Sequence, residues 1–267
     1  MLSSVRRMSC TCALLLVAIC LTPWSQHAAA ANEWAELTGR FVFDGDPPAP
    51  GKVNVTKDVE YCGKFNLKSE GIVVGANKEL ANIAIWVRDN KVKVHPDYAA
   101  SAKATVELDN KQCRFGPHMT TMRAGQTLRL KNSDTVAHNS QGITAANPEF
   151  NINLPPGAHH DVILKKKERR AVPIKCSIHP WMVGWLVVLD HPYAAVSGKD
   201  GTFSIKNLPA GTELEFQVWN ETAGFVSDVQ VKNGPVKGPW KKGRFTIKIK
   251  PGKTDLGDIL VNAKQFK

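Results

Sequence analysis

The chain has 267 residues, 43% of them hydrophobic and 22% charged, with 35 Lys and Arg against 24 Asp and Glu. Those proportions exclude an intrinsically disordered chain and leave room for one large domain or two small ones, each with its own core. The basic balance points to an acidic partner or an anionic surface rather than to nucleic acid, for which no recognition motif is present.

Arg6 and Arg7 precede an apolar run over residues 13–21, and a Pro-containing stretch then leads to Ala28-Ala29-Ala30-Ala31. This is the layout of a secretory signal peptide cut after Ala30 or Ala31. The apolar run is far shorter than the ~20 residues a spanning helix needs. Residues 1–31 are therefore expected to be removed, leaving an exported protein, periplasmic or extracellular, with no transmembrane segment in the mature chain. Without Arg6 and Arg7, 33 basic residues face 24 acidic ones, a net charge of +9.

Cys10, Cys12 and Cys20 leave with the signal segment, and Cys62, Cys113 and Cys176 remain. In an oxidising compartment two thiols pair and one is left over. Cys176 lies in the one segment where other metal-ligand types stand beside it, so Cys62 is paired with Cys113.

The mature chain reads as β nearly throughout, with short alternating runs between Gly, Pro, Asn and Asp signals. The first region, 32–103, opens with a strand over 37–43 and a turn at Asp46-Pro47-Pro48-Ala49-Pro50-Gly51. A second apolar strand follows over 81–87, and a short helix is expected over 98–102. The second region, 104–190, contains a strand over 127–130 and the candidate ligands. In the third, 191–267, Lys199-Asp200-Gly201-Thr202 predicts a hairpin turn, because Asp-Gly tolerates the positive φ such turns need. Leu214, Phe216 and Val218, then Phe245, Ile247 and Ile249, alternate with polar residues, so each strand has one buried and one wet face. Residues 229–267 carry ten Lys or Arg against Asp255 and Asp258.

The chemistry concentrates in Cys176-Ser177-Ile178-His179-Pro180-Trp181-Met182, which spaces a thiolate, an imidazole and a thioether as C-x2-H-x2-M. These soft and borderline donors suit copper alternating between Cu(I) and Cu(II). A second imidazole is needed from elsewhere, and His138 supplies the candidate, on an Asn/Ser/Asp-rich turn just beyond the 127–130 strand.

With Lys131-Asn132-Ser133-Asp134, His138-Asn139, the 176–182 loop and the following Val183-Gly184-Trp185-Leu186-Val187-Val188, the sequence resembles the cupredoxins, on the amicyanin and plastocyanin branch. The resemblance covers 104–190, with the short amicyanin-like ligand loop. It implies a Greek-key β-sandwich holding one type 1 copper through His138, Cys176 and His179, with Met182 as the axial ligand. Asn139 is implied to tie the two ligand segments together, and His179 to be the ligand nearest solvent and the electron port. Ile174 stands where the family often carries an aromatic residue. The flanking regions, at 39–46, 83–87 and 197–211, look like pieces of a carboxypeptidase regulatory-like domain, a small transthyretin-like sandwich. The copper domain is then an insertion in an all-β chain of two packed sandwiches.

Three other clusters take plainer readings. His118, Met119 and Met122 are placed on a strand and turn rather than in a Cu(I) site, and His159 and His160 on a solvated turn. The run Lys165-Lys166-Lys167-Glu168-Arg169-Arg170 is read as a solvated hairpin tip at the end away from the ligands. The expected function is outer-sphere electron transfer to a redox partner protein, of acidic character, without enzymatic turnover. The alternatives are a binding or surface protein for carbohydrate or protein with auxiliary copper, and copper storage or delivery. Peptide mapping of the unreduced mature protein is expected to recover Cys62 and Cys113 in one linked fragment; finding both as free thiols refutes the pairing.

Overall fold

The computed structural model describes Met1, residues 33–89 and residues 91–266. The signal-peptide expectation falls on residues outside those described, and every element below belongs to the compact unit Asn32–Lys267. In chain order, β1 (Trp34–Asp44), the one-turn helix α1 (Val59–Cys62) and β2 (Ala84–Val87) come first. Then follow β3 (Thr105–Lys111), β4 (Arg114–Gly116), β5 (Met119–Arg123), β6 (Thr127–Asn132) and β7 (His138–Gly142). They continue into β8 (Phe150–Leu154), β9 (His159–Ile163), β10 (Val172–Lys175) and β11 (Val183–Leu189). The chain returns through β12 (Ala194–Val196), β13 (Thr202–Pro209), β14 (Glu213–Asn220) and β15 (Gly224–Phe225). It ends with β16 (Val229–Lys232), β17 (Arg244–Lys248) and β18 (Gly252–Asn262).

These strands form four sheets in an all-β chain. β3 to β11 make two of them, β4-β3-β6-β9 and β5-β11-β10-β7-β8. The other two, β13-β1-β18-β16 and β12-β2-β14-β15 with β17 beside β14, combine strands from both ends of the chain. β1 lies antiparallel to β13 and parallel to β18, so residues far apart in sequence close this second pair of sheets around the β3–β11 segment.

Each pair of sheets encloses its own core. Leu37, Phe41 and Phe43 of β1 and Ile259 and Val261 of β18 share one cluster with Ile85, Val87, Leu214, Phe216 and Val218. Leu108, Leu128 and Leu130 share the other with Val172, Ile174, Leu186 and Val188. A third cluster joins the two sandwiches: Ala84 and Trp86 on the far face of β2 meet Met119, Val187 and Leu189, with Trp185 and Trp219 packed against them. β2 and β11 therefore bury both faces, which explains why they read as unbroken apolar runs. At the margin of this seam, His118 Nε2 meets Glu221 Oε1 at 2.6 Å, and the Trp185 indole N–H donates to the other oxygen.

Three expectations change. The Asp-Gly turn forms, with Gly201 at φ 75° and its N–H donating to Gly198 O, but β12 pairs with β2 while β13 pairs with β1. It is a crossover between sheets, not a hairpin. A side chain at Gly201 would also put its Cβ 2.5 Å from the carbonyl oxygen of Phe41. The 165–170 run likewise links strands of two sheets, and Glu168 inside it is buried, accepting backbone N–H groups of Ala145, Ala146 and Asn147. The helix expected over 98–102 is a single 3-10 turn at Pro96–Tyr98, with Pro96 in its first turn.

Phe216 is fully buried and stacks on Phe245. Phe216→Ala is expected to lower unfolding free energy by about 3–5 kcal/mol in denaturant titration.

Candidate metal centre

The strands bring the ligand types together by register. β10 ends at Lys175 and β11 starts at Val183, and these two residues pair, so residues 176–182 span the mouth of a hairpin. Cys176 N–H donates to Met182 O at 3.2 Å and Met182 N–H to His179 O at 2.9 Å, which folds the loop into a tight turn. β7 runs antiparallel beside β10 and starts at His138, which places that ring against the loop. The ligand atoms of His138, Cys176 and His179 all lie within 4.8 Å of one another. Met182 is buried in the same cluster as Cys176.

Both rings are oriented the same way. His138 Nε2 meets Asp134 Oδ2 at 2.9 Å, and His179 Nε2 meets Asp58 Oδ2 at 2.8 Å. With Nε2–H donated to a carboxylate, Nδ1 keeps its lone pair, the second-sphere arrangement that orients metal-binding histidines. His179 Nδ1 lies 3.8 Å from Cys176 Sγ, and His138 Nδ1 is buried with no hydrogen-bond partner among the described residues. An orphaned buried acceptor costs about 1–3 kcal/mol, and a metal ion bound at this atom would offset that cost.

Asn139 locks the two segments. Its Oδ1 accepts the N–H groups of Ser177 at 2.7 Å and Ile178 at 3.3 Å, and its own N–H points to Cys176 Sγ at 3.5 Å. The His179 N–H reaches the same sulfur at 3.4 Å. Burial pushes the Cys176 thiol up, but the two imidazoles beside it and these backbone groups prevail and bring it down to about 6. Burial opposes protonation of His138, while Asp134 and Cys176 outweigh it and hold its pKa above the ordinary histidine value.

A donor set of two imidazole Nδ1 atoms and one cysteine sulfur, with a buried thioether nearby, fits copper better than hard cations. The carboxylates of Asp58 and Asp134 are engaged on the outer side of the rings. Cys113, Asp134 and His138 also cluster, but Cys113 is bonded to Cys62 and offers no thiolate.

Asp134 stood in the sequence only as part of the 131–134 motif, with no role of its own, and Asp58 and Tyr61 carried no signal of their own. Asp58 and Tyr61 belong to a cover formed by residues 52–70, which meets Asp134 on the β6–β7 connection. Asp58, at φ 47°, precedes α1; Tyr61 OH donates to Asp134 Oδ1 at 2.9 Å; and the Cys62–Cys113 disulfide ties α1 to the β3–β4 turn. The only advance signal was that disulfide, which brings whatever surrounds Cys62 to the ligand end. The cover corrects one expectation: His179 has no exposed surface and is not the ligand nearest solvent. Asp58 sits where solvent was expected.

The other clusters do not assemble. Met119 faces the seam and Met122 the core that holds Cys176, because residues three apart on β5 point to opposite faces. His118 turns to Glu221, and His159 and His160 are exposed on β9.

No protein-family model and no curated protein sequence matches this chain. Among solved structures, it is similar to a Cu-containing nitrite reductase (NirK) from Thermus scotoductus SA-01 at 23% identity and TM-score 0.29, covering 32% of this chain. The chain spans only 22% of that reductase. A purple cupredoxin from Nitrosopumilus maritimus matches at 25% identity and TM-score 0.27, over 32% of this chain and 99% of its own. A reduced Cu(I) amicyanin variant matches at 15% identity and TM-score 0.29, over 39% and 97%.

Folding lowers the Cys176 pKa from an ordinary 9.0 to about 6, so thiolate stabilisation is complete above the unfolded value and is lost as pH falls through about 6. The metal-free protein is expected to show a thiolate absorbance step near pH 6 that Cys176→Ser removes; a step near 9 would contradict this account.

Proposed function

We propose that this is an exported type 1 copper protein that carries single electrons, with copper held by His138, Cys176, His179 and Met182. The observation that carries the reading is the pair of carboxylate-anchored histidines whose free Nδ1 atoms converge on one buried thiol. Copper in such a set supplies a one-electron couple. The chain's own groups do the rest. Asp134 and Asp58 fix ring tautomer and orientation, Asn139 holds the loop at a constant spacing from β7, and burial excludes water from the sulfur. A donor set that cannot relax keeps its geometry through a change of oxidation state, which favours outer-sphere transfer over substrate turnover.

A disulfide beside the site accords with an oxidising, extracytoplasmic location. Separation of Met119 from Met122 argues against a storage or delivery role built on those residues. We also assign the flanking sandwich a transthyretin-like character, as a framework around the inserted copper sandwich.

Copper-loaded mature protein is expected to be intensely blue, with a thiolate-to-Cu(II) band near ~600 nm, reversibly bleached by a one-electron reductant. Cys176→Ser is expected to abolish the band; an unchanged spectrum in that variant refutes the ligand set.

A further inference from the structure

All four ligand side chains are sealed: His138 and His179 have no exposed surface, and Cys176 and Met182 keep 2% each. Electron tunnelling weakens steeply with distance. The working exit must therefore be a side chain that touches a ligand and also meets solvent.

Trp181 satisfies both conditions. Its ring lies 5.1 Å from the His179 ring, centroid to centroid, at an interplanar angle of 59°. Its indole N–H donates to Cys113 O at 3.1 Å, which holds the ring in place against the disulfide turn. Trp181 is half-buried, and it lines an open cleft of about 560 Å³ with Pro180, Met182, Lys52, Lys68 and Arg114. We infer that electrons enter and leave through Trp181 and this cleft rather than through the edge of His179. This rests on the carrier reading above.

The cleft's charges indicate the partner. Its acids are matched within the wall, Glu70 lying 3.7 Å from Arg114 and Glu221 2.6 Å from His118. Lys52 and Lys68, bridged across the rim, form no ion pair among the described residues. The cleft thus fits a redox protein presenting an acidic rim, in keeping with the basic balance of the chain.

The test uses reduced, copper-loaded mature protein mixed with ferricyanide, an anionic acceptor, or tris(phenanthroline)cobalt(III), a cationic one. Each acceptor takes one electron and no bond changes in the protein; return of the blue colour gives the rate. Trp181→Leu is expected to slow both reactions about tenfold, with spectrum and midpoint potential unchanged, and Trp181→Phe to retain most of the rate. Lys68→Glu is expected to slow ferricyanide and speed the cobalt complex. Lys165→Glu, before the far end of β10, should leave that ratio alone. A Trp181→Leu rate equal to wild type, or a ratio indifferent to Lys68→Glu, overturns the gateway and leaves the carrier reading standing. Wild-type protein that exchanges with neither acceptor ends the carrier reading and the gateway with it. If Trp181→Leu fails to fold, the Lys68→Glu and Lys165→Glu comparison decides.

Discussion

The ligand end of the molecule depends on one buried carboxylate. Asp134 is 3% exposed and accepts from Tyr61 OH, from the N–H groups of Gln112 and Cys113, and from His138 Nε2. Burial alone would raise its pKa, yet these donors hold it below the usual carboxylate range. A buried charge stripped of a partner costs several kcal/mol, so the cover, the β3–β4 turn and the β6–β7 connection must assemble together. Gln112 and Cys113 adopt left-handed φ values of 54° and 53° to aim both amides at this group. The disulfide then fixes covalently what Asp134 organises electrostatically.

Much of this was legible beforehand, for reasons that can be named. Alternation in β14 and β17 reports directly which face is buried, since side chains repeat every two residues. The convergence of His138 on the 176–182 loop could be read because the loop's donors need a second imidazole and the 131–139 segment resembles a first-ligand segment; the structure then sets both at the ends of neighbouring strands. The odd number of mature cysteines separated the lone Cys176 from the bonded pair.

What stayed hidden is equally specific. Local turn chemistry predicts that the chain bends at Asp200-Gly201, but not which sheet receives the next strand. Glu168 among five cations reads as surface, because nothing local reveals the three amides waiting for it. The cover escaped notice for the same reason: Asp58 lies 121 positions from the histidine it meets, in a stretch with no regular periodicity. Its role is a product of tertiary placement alone.

The seam between the sandwiches has a consequence for how the molecule can be divided. Trp185, Val187 and Leu189 leave the ligand-side sheet on the face opposite its core and, among the described residues, are covered by Ala84, Trp86, Trp219 and their neighbours. Cutting the chain at 104 and 190 would strip that covering and leave a sticky aromatic wall on the excised fragment. The inserted sandwich is therefore not modular cargo in a neutral holder. Heat should dissolve both sandwiches in one cooperative melting event, and any lineage that shed the holder would first have had to repaint β11 with polar residues.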